Sequence, residues 1–199
     1  VNINGTINLI HATKTKKAIK FIFASSIWVY GETNSIKKNS EKKIIDLSKI
    51  KSIYILTKIA IERYLAIVDL FKSVIILRFG IVYGAKNKES WSIVETIFNL
   101  VKKNTNKKYL KIRSKKTSRC FIHIDDLIQG ILKSKTLTAR YTILNLCGGK
   151  LISVIDIIKS AQKILRINNS VLIKESHASK PSIKSTNNNK AKRMLKWEP

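Results

Sequence analysis

Tyr54 and Lys58 are the two side chains of this sequence whose types and spacing point most clearly to chemistry, because they stand four residues apart. In a helix this spacing places both side chains on one face, one turn apart. A free tyrosine has a pKa of about 10 and is a poor base at neutral pH, but a neighbouring ammonium favours the phenolate and lowers that pKa. The pair therefore predicts a tyrosine that exchanges protons near neutral pH. The alternative is an interfacial tyrosine beside a solvated lysine, since the chain has 6 Tyr and 39 Lys and Arg residues.

Two apolar segments flank this pair. Residues 21–31 read Phe-Ile-Phe-Ala-Ser-Ser-Ile-Trp-Val-Tyr-Gly, an apolar run followed by two serines and a turn. Residues 74–84 read Val-Ile-Ile-Leu-Arg-Phe-Gly-Ile-Val-Tyr-Gly, which indicates a second buried strand that ends at glycines. Short, continuous apolar runs are typical of parallel strands covered on both faces. Because ligands of open parallel sheets bind beyond the carboxyl ends of the strands, these endings predict a binding site.

Helices and strands alternate along the chain, which predicts an α/β fold with a parallel sheet. The predicted helices span 2–13, 52–71, 90–103, 125–134, 153–165 and 187–195, and the predicted strands 19–24, 73–79, 109–112, 121–124 and 141–146. Residues 30–50 form a long polar loop, which in a compact domain is usually functional, and residues 170–185 a loop with one strand. We expect Asp125 and Asp126 to cap one helix, and Ser153 with Asp156 to form a capping box at another.

The composition bears on partners and location. A formal net charge of +27 is compatible with a polyanion-binding surface. The basic residues are spread along the whole chain, however, and accompany abundant Ile and Asn, so we interpret the charge as the compositional bias of an AT-rich genome rather than nucleic-acid binding. No apolar run reaches the ~18 residues of a membrane span. Cys120 and Cys147 have neither metal-binding nor redox spacing, so we expect no metal site and a cytoplasmic location.

The order of strand with terminal serine, long loop, Tyr-x-x-x-Lys helix and strand resembles the extended short-chain dehydrogenase/reductases, specifically the nucleotide-sugar epimerase/dehydratase family. Residues 2–9 look like the family's Asn-Val-x-Gly-Thr-x-Asn-Leu helix, and the ending 191–199 is similar to its usual tail. The resemblance covers essentially all of this chain but about the last two-thirds of a family member, because no Gly-x-x-Gly-x-x-Gly loop precedes Val1.

We therefore expect an N-terminally truncated chain. Residues 1–85 would hold the C-terminal part of a Rossmann-type doubly wound parallel sheet that binds the cofactor. Residues 86–199 would form mainly a small α+β substrate-binding domain, with some elements returning to the Rossmann sheet.

The resemblance implies a catalytic set of Ser26, Tyr54 and Lys58, which also contacts the cofactor. Ser26, four residues before the Tyr-Gly pair, would hydrogen-bond the sugar hydroxyl that reacts. Tyr54 would take that hydroxyl's proton while hydride leaves the same carbon for the nicotinamide, and Lys58 would hold the nicotinamide ribose and keep Tyr54 acidic. The alternative for Ser26 is a strand-end serine that caps backbone groups.

Three further positions match family motifs. Asn2 and Gly80 fall where the family lines the nicotinamide side, although Asn2 also suits a helix N-cap and Gly80 a simple turn. Arg119 begins a segment, residues 119–126, that looks like Arg-Asp-Phe-Ile-His-Val-Asp-Asp, in which the arginine grips the nucleotide diphosphate of the substrate. The alternative for Arg119 is one more surface cation.

Two departures from the family bear on the reaction. Ser26-Ile27-Trp28 stands where dehydratases have Thr-Asp-Glu, so no acid pair is available to eliminate water and 4,6-dehydration is disfavoured. Ile81 stands where the family has an asparagine that contacts the sugar, which leaves the substrate open.

The sequence thus predicts an NAD-dependent nucleotide-sugar epimerase, most like those that act on UDP-glucose, with NADP as an alternative cofactor. The resemblance implies a homodimer through the helix 52–71. The alternatives are an NADPH-dependent nucleotide keto-sugar reductase, and an inactive fragment or basic polyanion-binding module.

Overall fold

The computed structural model describes residues 2–14, 20–31, 36–84, 92–103, 109–112, 114–167, 172–175 and 182–199. The helices are α1 (Asn2–Lys14), α2 (Ile53–Ile67), α3 (Ile93–Lys103), α4 (Ile124–Ser134), α5 (Val154–Ile164) and α6 (Asn189–Leu195). The strands are β1 (Lys20–Ser26), β2 (Ser73–Phe79), β3 (Ile81–Tyr83), β4 (Tyr109–Ile112), β5 (Ser118–His123), β6 (Tyr141–Leu146), β7 (Leu151–Ser153), β8 (Leu172–Glu175) and β9 (Ile183–Lys184). Short 3-10 turns lie at Ile27–Tyr30 and Leu47–Lys49.

The main sheet is parallel and has the order β1-β2-β6. Its central strand β2 alternates between two apolar clusters: Ile75 and Leu77 pack with α4 and α6, whereas Val74 and Ile76 pack with α1 and α2. A strand covered on both faces needs an unbroken apolar run, because successive side chains point to opposite faces. The expected parallel α/β sheet is therefore confirmed.

A second sheet is centred on β5. Its first half pairs with β7 in antiparallel and with β9 in parallel orientation, and its second half pairs with β3 in parallel orientation. Helices α3 and α5 pack together on this sheet through a cluster that includes Ile97, Phe121 and Ile158. Strands β4 and β8 form a separate parallel pair. The division of the chain into domains 1–85 and 86–199 stays a prediction.

Three strand predictions match the structure in full, namely 73–79, 109–112 and 141–146. The capping box of Ser153 and Asp156 at α5 is also confirmed. The helix expected to end at residue 71 ends at Ile67, because the backbone of Val68 is extended and the chain turns so that Phe71 packs on Phe21, with ring centres 4.9 Å apart.

Two further predictions were wrong. Asp125 and Asp126 lie inside the first turn of α4 rather than at its cap; the cap is His123, whose Nδ1 accepts a hydrogen bond from the backbone N–H of Asp125. A histidine can serve because its neutral ring offers one acceptor nitrogen. Residues 172–184 also contain two strands, β8 and β9, where one was expected.

A buried ion pair joins α2 to the main sheet. Glu62 of α2 accepts hydrogen bonds from Arg78 of β2, at 3.0 Å from Nε and 2.6 Å from Nη2, and both residues are almost fully buried. Ser25 of β1 donates a third hydrogen bond to Glu62, at 2.5 Å. Burial opposes the charge on Arg78, but the hydrogen bond and charge of Glu62 outweigh it and hold the pKa of Arg78 above its ordinary value. The Glu62 carboxylate therefore links α2 to both β1 and β2.

The same network continues towards β6. The guanidinium carbon of Arg78 lies 4.9 Å from the ring centre of Tyr30, a cation–π contact. The Tyr30 hydroxyl donates to Asn145 Oδ1 at 2.8 Å, and the Asn145 backbone N–H donates to Glu41 Oε1 at 2.9 Å. Burial raises the pKa of Tyr30 to about 12, so this hydroxyl stays protonated and can donate. The network therefore runs across the sheet from β1 to β6.

We predict that Glu62→Gln lowers the free energy of unfolding by about 3–5 kcal/mol, because it leaves the buried guanidinium of Arg78 without a countercharge. Urea denaturation would measure the change. Asp69→Asn is the control, since Asp69 pairs with Arg140 where both side chains are more than three-quarters exposed; exposed pairs contribute at most about 1 kcal/mol. Equal, small effects of the two substitutions would contradict a structural role for the ion pair.

Candidate functional site

Ser26 lies at the carboxyl end of β1, and its orientation differs from that of Ser25. Because neighbouring strand residues face opposite ways, Ser25 points at Glu62 whereas Ser26 accepts a hydrogen bond from the backbone N–H of Trp28 at 3.2 Å. This bond caps the 3-10 turn that follows. Accepting it uses an oxygen lone pair and leaves the hydroxyl proton for donation. Ser26 therefore does cap backbone groups, and this cap is compatible with a catalytic role.

Tyr54 and Lys58 lie on the first turns of α2, beside the same strand end. The Lys58 ammonium donates to the carbonyl oxygen of Ala24 at 2.8 Å and lies 5.6 Å from the centre of the Tyr54 ring. Tyr54 is 49 % exposed, so this residue is accessible from the solvent. Helix α2 also contacts the 3-10 turn after Ser26. The structure therefore gathers the three predicted catalytic residues around one end of β1.

The electrostatics of the pair differ from the expectation. Burial raises the pKa of Tyr54 and lowers the pKa of Lys58, since desolvation disfavours the charged form of each group. The expected lowering of the tyrosine pKa by Lys58 is not found, because the ammonium is bonded to the Ala24 carbonyl and faces the ring of Tyr54. In this arrangement Tyr54 is a protonated phenol at neutral pH.

Asn2 and Gly80 have structural partners. The Asn2 side-chain amide donates to the Thr57 hydroxyl at 3.3 Å, and that hydroxyl donates to the Tyr54 carbonyl oxygen at 2.7 Å, so α1 braces the turn that carries Tyr54. A Cβ atom on Gly80 would lie 2.8 Å from Cys147 Cβ and 2.9 Å from the Cys120 carbonyl oxygen. Gly80 is thus needed for close packing between β2, β5 and the end of β6. The cofactor-lining roles of both residues stay predictions.

Arg119 lies on β5, with its guanidinium carbon 5.3 Å from the centre of the Trp28 ring. Its Nη1 donates to the carbonyl oxygens of Ser118 and Ser182. Lys184, the partner of Arg119 across the β5–β9 ladder, places its ammonium 4.5 Å from the same Trp28 ring. Two cations therefore lie next to the turn that Ser26 caps. Because Lys184 is buried and donates to the carbonyl oxygen of Gly31 at 2.7 Å, Arg119 is the one of the two that suits recognition of an anionic ligand group.

Sequence reasoning assigned no role to Glu62, Arg78 or Lys184. Glu62 and Arg78 carried a signal, since each is a charged residue inside an otherwise apolar segment, and such residues are almost never buried unless paired. Lys184 gave no signal, because it is one of many lysines in a basic chain. Its burial, with 2 % exposure, depends on a strand of two residues.

The residues at this strand end fit one part of a dinucleotide cofactor. A phenol, an ammonium and a serine hydroxyl supply the donors and acceptors that ribose hydroxyls need. The pyrophosphate of such a cofactor is normally held by a glycine-rich loop, and the seven glycines of this chain contain no Gly-x-x-Gly-x-x-Gly pattern. The described residues thus fit the nicotinamide–ribose end.

The described residues also bear on metal binding and on membrane insertion. Within them, no group of three or more His, Cys, Asp or Glu side chains is arranged to hold a metal ion. Nor do the described helices include one that is long and apolar enough to cross a membrane.

Comparison with known proteins gives a family match. A family model described as "NAD dependent epimerase/dehydratase family" matches residues 1–147. The chain is 30% identical over 205 residues to a UDP-glucuronate 4-epimerase of Thermodesulfobacterium geofontis, and 27% identical over 206 residues to an uncharacterized UDP-glucose epimerase of Bacillus subtilis. Both matches cover 100% of this chain, but 60% and 61% of those proteins. The chain therefore spans about three-fifths of the length of these curated relatives.

Solved structures with the same fold include two sugar-nucleotide epimerases. A UDP-glucuronic acid 4-epimerase from Bacillus cereus, in complex with UDP-glucuronic acid and NAD, is 27% identical, with a TM-score of 0.79 over 100% of this chain and 62% of that one. The UDP-glucose 4-epimerase of Thermotoga maritima, with UDP-glucose, has a TM-score of 0.82 at 24% identity and covers 100% of this chain and 64% of that one. At that identity the second likeness concerns the fold alone.

We predict that Gly80→Ala lowers the free energy of unfolding by about 1–3 kcal/mol, the usual cost of overpacking, because the new methyl group meets Cys147 and a backbone carbonyl. Thermal or urea denaturation would measure it. Gly5→Ala is the matched control: nothing lies within 4 Å of its added Cβ, and alanine in a helix is more favourable than glycine by about 0.5–1 kcal/mol. A Gly80→Ala protein as stable as the parent would contradict the packing role.

Proposed function

Because the chain belongs to the NAD-dependent epimerase/dehydratase family, we propose that its protein is a nucleotide-sugar epimerase that uses NAD and acts on a UDP-hexose. The observation that carries the proposal is the arrangement of Ser26, Tyr54 and Lys58 around one strand end, fixed by the bond from Lys58 to Ala24. The curated relatives support the substrate class, since both are named as epimerases of UDP-sugars.

Each residue has a defined task in this proposal. Ser26 donates its hydroxyl proton to the oxygen of the reacting sugar alcohol and so orients it, while Tyr54 accepts the alcohol proton as the carbon is oxidised to a ketone. Bound NAD supplies the hydride acceptor and, for return to the other face of the ketone, the hydride donor. Lys58 holds the ribose hydroxyls next to Tyr54, and Arg119 holds the nucleotide diphosphate.

The raised pKa of Tyr54 sets a requirement for this chemistry. A protonated phenol is the competent acid for the step that reduces the ketone, whereas a phenolate is needed to oxidise the alcohol. Ligands that bring Lys58 or another positive charge closer to the Tyr54 hydroxyl would favour the phenolate. The pKa of Tyr54 would therefore fall when substrate and cofactor bind.

The residues after Ser26 favour epimerisation over dehydration. Elimination of water needs an acid and a base at the sugar, and the two positions after Ser26 hold Ile27 and Trp28. Ile27 is buried in the core, and Trp28 packs under the cations of Arg119 and Lys184. The proposal therefore excludes 4,6-dehydration as the main reaction.

We predict that Tyr54→Phe in the intact protein lowers kcat for interconversion of UDP-hexoses by about 100-fold or more, the usual contribution of a general acid–base. Tyr64→Phe is the matched control, because Tyr64 lies on the same helix but packs into the cluster below it. Chromatography of the product sugars measures the rates. Full activity of Tyr54→Phe would contradict the proposal.

The same assay separates the epimerase from the reductase. An epimerase returns the hydride and leaves the ratio of NAD to NADH unchanged, whereas a keto-sugar reductase consumes one NADPH for each product, visible by absorbance. Stoichiometric NADPH consumption with a nucleotide keto-sugar would replace the epimerase proposal. A cytoplasmic location and the absence of nucleic-acid binding stay predictions.

We also propose that the protein forms a homodimer through α2. Apolar side chains on this helix remain exposed: Ile53 is 82% exposed, Leu56 43% and Ile67 83%. The neighbouring helix α1 exposes Ile3 and Leu9. Exposed apolar side chains on two neighbouring helices support an interaction surface here, since large exposed apolar patches mark such sites.

For the dimer, we predict that Leu56→Lys shifts the intact protein towards the monomer, because a like charge on each protomer would enter the shared apolar surface. Sedimentation velocity measures the change, with Leu132→Lys on α4 as the control, since Leu132 is similarly exposed at 55%. An unchanged sedimentation coefficient for Leu56→Lys would contradict an interface on α2.

A further inference from the structure

A cavity of about 410 Å³ lies along the outer edge of β6. Tyr141, Thr142 and Ile143 form its floor, residues 40–42 one wall, and Asn187 with the start of α6 the other. Strand β6 is separated from β1 by β2, so at about 4.8 Å per strand spacing the cavity is roughly 10 Å or more from the strand that carries Ser26. We call it the edge cavity. It is distinct from the site at the carboxyl end of β1.

The charges around the edge cavity are unbalanced. Three cations line it, Lys42, Lys190 and Arg193, against the single carboxylate of Glu41. Glu41 already accepts the backbone hydrogen bond from Asn145. Burial lowers the pKa of Lys190, and the nearby charges of Arg193 and Lys42 act in the same direction, opposed by Glu41. The cavity is therefore a place where an added negative charge would be stabilised.

Protection of a sheet edge explains only part of this arrangement. Lys190 donates to the carbonyl oxygen of Ile143 at 2.9 Å, and a lysine at an open strand edge hinders pairing with another chain. That task does not use Lys42 or Arg193. Among the described residues neither of these two forms an ion pair, although both border the cavity.

We propose that the edge cavity binds a small molecule that carries a phosphate group, with Arg193 and Lys42 contacting the phosphate and the floor of β6 contacting its organic part. The planar guanidinium suits two phosphate oxygens at once. Tyr141 and Ile143 supply apolar surface beside the cations, and the volume lies within the range of about 300–1,000 Å³ that is usual for ligand pockets. This site would be additional to the nucleotide-sugar site and does not depend on the proposed function.

The test is titration calorimetry of the intact protein with phenyl phosphate at low salt, where charge interactions are least screened. We expect Lys42→Gln/Arg193→Gln to raise the dissociation constant about tenfold or more, because it removes two charge-assisted contacts. Lys102→Gln/Lys163→Gln is the matched control: it removes the same total charge from exposed positions on α3 and α5, and we expect a change of less than about twofold.

A third variant separates this site from the proposed substrate site. If the edge cavity is the site, Lys42→Gln/Arg193→Gln should weaken phenyl phosphate binding to the same extent in an Arg119→Gln background as in the parent protein. The proposal is overturned if the protein does not bind phenyl phosphate, if both double variants weaken binding equally, or if Arg119→Gln alone abolishes it. Circular dichroism of each variant confirms that the comparison is made between folded proteins.

Discussion

The ion pair between Glu62 and Arg78 is the constraint on which the rest of the site depends. Taking both charges out of water is costly, and their attraction offsets that cost only when the geometry is good and the remaining polar atoms are hydrogen-bonded. Here Ser25 bonds the carboxylate and the ring of Tyr30 lies against the guanidinium, while Arg78 Nη1 has no hydrogen-bond partner among the described residues. Few placements of α2 on the sheet satisfy all these contacts together. The pair therefore fixes where the first turns of α2, with their tyrosine and lysine, lie against β1.

The sequence was most informative where one physical rule dominates. The strands 73–79 and 141–146 could be located to the residue, because a strand covered on both faces requires an unbroken apolar run. Helix ends were harder to predict. The apolar stretch from 52 continues past the true end of α2 at Ile67, and the reason for the end is a distant contact between Phe71 and Phe21. The cap of α4 was misassigned because histidine is not a usual N-cap residue. His123 serves as the cap here because its ring nitrogen lies within reach of the backbone N–H of Asp125.

In the site, too, some features could be predicted from the sequence and others could not. The grouping of Ser26, Tyr54 and Lys58 at one strand end follows from their order and from the rule that places ligands beyond the ends of parallel strands. The protonation of Tyr54 does not follow from spacing. It depends on whether the lysine faces the hydroxyl or is bonded elsewhere. Here the Lys58 ammonium donates to the carbonyl oxygen of Ala24. Likewise, the need for glycine at position 80 comes from Cys147 and Cys120, which are far away in the sequence.

Strand β5 is bonded along both edges where it carries Arg119, by three residue pairs with β7 and two with β9. Side chains alternate between the faces of a strand, so a slip of one residue in either ladder would turn the arginine to the opposite face. Each ladder alone is too short to define its register strongly. Together the two ladders allow only one register of β5. The direction in which this cation points is thus specified by backbone pairing, before any ligand arrives. Insertions in the segments that lead into β7 or β9 would therefore change the direction of Arg119 through the two ladders.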